Sequence, residues 1–121
     1  MGQPPSLGDF EQLVLLALVR LGDRAYGVAI HNEIVERAGR DVAVAAVYKT
    51  LERLEDKGFA VSTVGEPTAE RGGRRKKYFR IQPAGRRALA SALASMRRMT
   101  EGLPYELDPA FAADPLPEDK P

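Results

Sequence analysis

A mostly helical α+β fold is predicted by three observations. Three segments with helical apolar spacing come first; a strand, a basic loop and a second strand follow; a long apolar seam opened by proline closes the ordered part. In that order they describe a winged helix-turn-helix with a C-terminal dimerisation helix. The 121 residues fit one domain with a modest core and a tail.

Residues 1–8 read as a flexible lead. The first helix is expected over 9–21, where Phe10, Leu13, Val14, Ala17, Leu18 and Leu21 form one stripe. Leu15, Leu16 and Val19 add apolar surface on its other faces, so the helix is packed on most sides, either as the central core helix or under a second chain. Gly22 stops it. The second helix is expected over 26–40, with Ile30, Ile34 and Ala38 on one face beside Val35, and with Glu33 and Arg37 as an outward i,i+4 pair. The third is expected over 44–57, its buried stripe being Val47, Leu51 and Leu54. Gly58 ends it. Strands are expected over 59–64 and 76–81. Pro83 suits the first turn of a fourth helix running to about residue 101, because its missing N–H is not needed there. Leu89, Leu93, Met96 and Leu103 follow a heptad-like spacing along that helix. So small a body cannot cover the whole seam, which predicts a partner helix.

The charge is divided along the chain. Residues 1–102 carry 17 basic and 12 acidic side chains, and residues 103–121 carry one basic and five acidic ones. The body is therefore basic by +5 and the tail acidic by −4. The tail also holds five of the nine prolines, a composition that predicts disorder. Within the body, eight of the seventeen residues 71–87 are basic and none is acidic. Gly72-Gly73 marks a turn, and Lys77-Tyr-Phe-Arg-Ile81 alternates in polarity, so the expected product is a β-hairpin with a positive tip. Such a tip suits a nucleic-acid backbone, whose closely spaced phosphates reward cation binding by releasing counterions. The plain alternative is a solvated charge run.

The third helix supplies the second half of that reading. Val44, Ala45 and Ala46 are small enough for close approach to base edges or thymine methyls in the major groove. Tyr48, Lys49 and Arg53 follow as polar contacts, although Tyr48 also reads as a core phenol with its hydroxyl at the surface, and Lys49 and Arg53 as solvated surface. The expected DNA-binding set is Val44, Ala45, Tyr48, Lys49, Arg53, Arg71, Arg74, Arg75, Lys76 and Lys77. The expected dimer interface is Phe10, Leu13, Ala17, Leu89, Leu93 and Met96.

Other chemistry lacks residues. There is no cysteine and one histidine, so a transition-metal site lacks ligands and no metal or cofactor is expected. His31 reads as a surface residue. The carboxylate clusters Asp9/Glu11 and Glu55/Asp56 are expected on solvated faces, no catalytic triad can be assembled, and no glycine-rich stretch has a phosphate-loop ending. No enzyme is expected. The longest apolar run, residues 13–19, is too short to span a bilayer, and no signal peptide opens the chain, so the expected compartment is the cytoplasm, with no membrane partner.

At this point the sequence resembles the PadR family of bacterial transcriptional regulators. The resemblance is carried by Tyr26-Gly27-Val28-Ala29-Ile30, by residues 47–55 (Val-Tyr-Lys-Thr-Leu-Glu-Arg-Leu-Glu), by Gly58-Phe59, by residues 72–81 and by Pro83-Ala84-Gly85-Arg86. It covers residues 7 to about 101, and the combined order is more specific than any one segment. It implies a homodimeric winged-helix protein that binds a double-stranded operator, acts as a repressor on its own gene or a neighbouring operon, often for efflux or detoxification, and dimerises through its terminal helices. It also implies recognition contacts at Tyr48 and Lys49, wing contacts at residues 74–77, and a small-molecule effector at the dimer interface. Two departures stand out. Gln82 replaces the family's threonine before the fourth helix, which predicts a looser helix start. The chain has no tryptophan, and of its eight aromatics only Phe10 is placed to line a dimer cavity, which weighs against a flat aromatic drug site.

The competing readings are a winged helix used for protein–protein contact without sequence-specific DNA binding, and a non-specific RNA binder. The first would need fewer cations and more exposed apolar residues on the wing. The second would need stacking aromatics on an open sheet. By this reading residues 9–82 form the DNA-binding domain, 83–102 the dimerisation helix and 103–121 the tail.

Overall fold

The computed structural model describes residues 6–65, 75–104 and 107. Four helices and one hairpin follow in the expected order: α1 (Asp9–Leu21), α2 (Gly27–Ala38), α3 (Val44–Asp56), β1 (Ala60–Val64), β2 (Lys77–Ile81) and α4 (Pro83–Thr100). A 3₁₀ turn, Gly22–Arg24, joins α1 to α2. The strands pair antiparallel, from Ala60 opposite Ile81 at the base to Val64 opposite Lys77 toward the tip.

The core forms where the apolar stripes converge. Val14, Leu15 and Leu18 of α1 meet Ile30 and Ile34 of α2, Val47, Leu51 and Leu54 of α3, and Phe59, Phe79 and Ile81 at the hairpin base. Leu15 is fully buried, so α1 is the central helix with two inward faces rather than one stripe. On α2 the buried face is narrower than expected. Ala38 is exposed at the last turn, where Gly39 leaves the helix in the left-handed conformation.

Several local expectations are corrected. Tyr26 stands before α2 instead of inside it, because it is extended and forms an antiparallel bridge with Tyr78, while the Phe79 N–H donates to the Ala25 carbonyl at 2.8 Å. This short third strand-like segment ties the α1–α2 connection to the hairpin. The lead is held at residues 6–8: Leu7 packs on the core, its carbonyl accepts from the Gln12 amide at 3.3 Å, and the Gly8 N–H donates to Glu11 Oε1 at 2.9 Å. His31 is half-buried and its Nε2–H donates to the Val42 carbonyl at 2.7 Å, bracing the α2–α3 link. Glu55 accepts from the Ser62 hydroxyl at 2.7 Å, joining α3 to β1. The tail falls outside the described residues except at Leu103, Pro104 and Leu107.

Glu11 is also corrected from a solvated to a buried position. Its carboxylate accepts from Lys57 Nζ at 2.9 and 2.8 Å, which pins the start of α1 to the end of α3. Burial by itself would raise the Glu11 carboxyl. The bond from Lys57, the Gly8 N–H and the charges of Lys57 and Arg53 outweigh it and hold its pKa below the ordinary value of 4.5. A carboxyl whose pKa is lowered on folding stabilises the fold above its unfolded pKa, and that contribution is lost as the pH falls through the folded value. Lys57→Ala strands a buried carboxylate and is expected to cost about 1–3 kcal/mol at pH 7. The cost should be smaller at a pH below the folded-state pKa of Glu11, where the carboxyl is protonated with or without Lys57. Urea unfolding at both pH values checks this, and equal costs would contradict it.

The start of α4 is tight, contrary to the expectation drawn from Gln82. That residue makes no side-chain cap, but its N–H donates to the Phe59 carbonyl at 2.8 Å and its carbonyl accepts from Arg86 N–H at 2.9 Å. Gly85 permits this approach, since a Cβ there would lie 2.3 Å from the Phe59 carbonyl oxygen. Backbone cannot swing aside as a side chain does. Gly85→Ala is therefore expected to destabilise by about 1–3 kcal/mol through overpacking, despite alanine's better helix propensity. Thermal unfolding of the variant checks the sign, and an unchanged or raised Tm would contradict it.

Candidate nucleic-acid interface

The amphipathic pattern of α3 decides which side chains are free. Val47, Thr50, Leu51 and Leu54 face inward, which turns Val44, Ala45, Tyr48, Lys49, Glu52 and Arg53 outward along the opposite side. Lys49 and Arg53 make no ion pair among the described residues. Like charges one turn apart repel slightly, so this face favours an anion beside it. The small side chains at positions 44–46 leave the first turn of α3 low.

Tyr48 has two roles at once. It is 41% exposed, yet its hydroxyl end lies over the first turn of α2, where a Cβ on Gly27 would sit 2.0 Å from Oη. Gly27 is the place where the tyrosine rests. The phenol is therefore oriented by α2 while part of its surface remains accessible.

The wing rises beside this helix. Arg75, Lys77 and Arg80 are exposed, and Arg71 and Arg74 lie outside the described residues. Lys76 is half-buried, with its Nζ 4.4 Å from the centroid of the Tyr26 ring, a cation–π contact. The Tyr26 and Tyr78 rings meet edge to face, with centroids 5.8 Å apart and planes at 72°. Lys77 Nζ lies 5.7 Å from the Phe79 centroid. Tyr26, Gly27 and Tyr78 were not among the expected site residues. The adjacent Tyr26-Gly27 pair was the available signal, an aromatic followed by the one residue that allows close approach.

The expected dimer residues fall into two groups. Ala17 and Leu89 are already buried within one chain, and Phe10 and Leu13 are half-buried against its core. Beyond Leu89, α4 runs out with its apolar side uncovered among the described residues: Leu93 is 40%, Met96 60% and Met99 76% exposed. Ala17 and Leu89 therefore belong to the core of the single chain rather than to its open surface, and Met99, not among the expected residues, joins the exposed face of α4. Among the described residues no group of three or more His, Cys, Asp or Glu could hold a metal ion. No described helix is long and apolar enough to cross a membrane.

A three-helix body carrying a cationic two-stranded wing is the winged-helix architecture of transcription regulators. The comparisons with known proteins agree. Residues 15–91 match the transcriptional regulator PadR-like family, and the chain belongs to that family. Among solved structures, a PadR family transcription regulator from Clostridium difficile is 22% identical, with a TM-score of 0.62 over 74% of this chain and 90% of that one. A transcriptional regulator from Clostridium thermocellum is 25% identical, with a TM-score of 0.62 over 74% and 81%. A PadR family regulator from Eggerthella lenta is 27% identical, with a TM-score of 0.59 over 75% and 77%. No curated protein matches the sequence.

Proposed function

We propose that this transcription regulator is a homodimeric, sequence-specific DNA-binding repressor. In this reading α3 lies in the major groove, where Val44, Ala45, Tyr48, Lys49 and Arg53 meet base edges and nearby phosphates. The wing cations, Arg71 and residues 74–77, lie on the flanking backbone or in the adjacent minor groove. The observation that carries the reading is an outward, partly basic α3 face with no ion pair at Lys49 or Arg53 among the described residues, together with a basic wing, both resting on the Tyr26-Gly27 step.

The exposed face of Leu93, Met96 and Met99 supports dimerisation through α4, with Phe10 and Leu13 of α1 alongside. Two-fold symmetry then presents two copies of α3 to one duplex. A small-molecule effector at that interface belongs to the same reading. Phe10 is its aromatic contact, since the chain has no tryptophan to stack a flat ligand.

The test is fluorescence anisotropy with a duplex from the promoter of the protein's own gene and a scrambled duplex of equal length and composition. The reading expects specific binding about 10³-fold tighter or more at physiological salt. Equal affinity for both duplexes would leave only non-specific binding. Binding to neither would favour a protein–protein role for the winged helix.

A further inference from the structure

Tyr26 has no assigned role in reading DNA, yet it sits between the two elements that do. Its backbone is extended, with φ −112° and ψ 165°, and pairs with Tyr78 of β2. Its carbonyl accepts the Ile30 N–H at 2.9 Å, which makes it the entry residue of α2. Its ring meets Tyr78 edge to face and lies under the Lys76 ammonium. The next residue, Gly27, supports Tyr48 on the outward face of α3. An unbroken line of contacts therefore runs from α3 through Tyr48, Gly27 and Tyr26 to Tyr78 and Lys76 on the wing.

A two-stranded hairpin is marginally stable alone and takes its orientation from what it packs against. The base of this one is anchored by Phe79 and Ile81 in the core. Toward the tip, Val64 and Lys77 are exposed, and among the described residues there Lys76 and Tyr78 meet the body of the protein. What they meet is Tyr26. We propose that Tyr26 is a positioning residue that holds the wing at a fixed angle to α3, so that both elements engage one duplex as a unit. The inference rests on the DNA-binding reading above.

Fixing two binding elements in one geometry turns the second contact into an intramolecular event. Loosening the wing leaves the affinity of α3 intact and removes the advantage of the flanking DNA. This separates positioning from a general loss of stability and from a direct contact by Tyr26 itself.

The probe is a duplex selected by the full chain from a random-sequence pool. A second, trimmed duplex lacks the flank whose affinity contribution disappears in an Arg75→Ala/Lys77→Ala double variant. Wild type should bind the full duplex more tightly than the trimmed one. In Tyr26→Leu this advantage should shrink by roughly fivefold to tenfold, with the affinity for the trimmed duplex unchanged. Tyr26→Phe keeps the ring and should restore the wild-type ratio. An equal loss on both duplexes would overturn positioning in favour of a structural role. A Tyr26→Phe variant as defective as Tyr26→Leu would overturn it in favour of a direct hydroxyl contact. Should Tyr26→Leu not fold, Tyr78→Leu makes the same comparison from the wing side. If no flank contributes even in the wild type, the wing-binding reading itself fails, an outcome distinct from a flank that contributes and is insensitive to Tyr26.

Discussion

Leu93→Asp should turn the proposed dimer into monomers and abolish tight operator binding. Leu93 lies past the last α4 residue buried in its own chain, on a face shared with Met96 and Met99. Burying side chains of this size stabilises an interface by about 1.5–3 kcal/mol each. A carboxylate in that seam must be desolvated when the interface closes, a cost that an i,i+4 pairing with Arg97 offsets by only about 0.2–0.5 kcal/mol. Because Leu93 is exposed in the single chain, the substitution leaves the Val14–Leu51–Phe79 core untouched. Light scattering at micromolar concentration should report a dimer for the wild type and a monomer for the variant. Circular dichroism should show most of the helix retained. Two half-sites bound separately lose the gain from linkage, so affinity for the full operator should fall about 10²-fold to 10⁴-fold. A wild-type monomer, or a variant that stays dimeric, would rule out the α4 seam.

Lys49→Ala should relax specificity, whereas wing substitutions should weaken binding evenly. Lys49 projects from the outward face of α3 with no ion-pair partner among the described residues. If it reads a guanine edge, its loss costs about 1–3 kcal/mol on the operator and much less on random DNA. The exposed wing residues Arg75 and Lys77 are expected on phosphates. Replacing both by alanine should lower affinity for every sequence alike and reduce the slope of log K against log salt by about 1 per residue removed. Titrations of operator and random duplexes at four salt concentrations separate the two. Equal losses on both duplexes would make Lys49 another backbone contact, and an unchanged slope in the wing variant would make the basic run a solvated patch.

Much of this fold is legible in the sequence because its signals are local. The Val47, Leu51 and Leu54 spacing marks the inner face of α3 and so also its outer face, which is the candidate recognition surface. Pro83 marks the start of α4, and the alternation in Lys77–Ile81 marks β2. The features that escape are those in which partners meet only after folding. Glu11 and Lys57 are 46 positions apart, and neither carries a sign of the other. The bridge from Tyr26 to Tyr78 involves too few residues to show a strand period. Gly85 resembles any weak helix residue until the Phe59 carbonyl lies against it. The exposed seam on α4 is legible as an excess of apolar residues. The burial of Leu89 within that seam is not, because it depends on how the start of α4 packs against α1.

In the proposed complex two copies of α3, related by a two-fold axis, meet one duplex in the major groove with a wing on each flank. Hydroxyl-radical footprinting of the protein on its selected duplex distinguishes this arrangement from the others. Two protected half-sites of inverted sequence are expected, their centres about 10–10.5 base pairs or a multiple apart, each with a weaker flanking protection that disappears in the Arg75→Ala/Lys77→Ala variant. A single unsymmetrical footprint, or uniform protection without sequence preference, would contradict it.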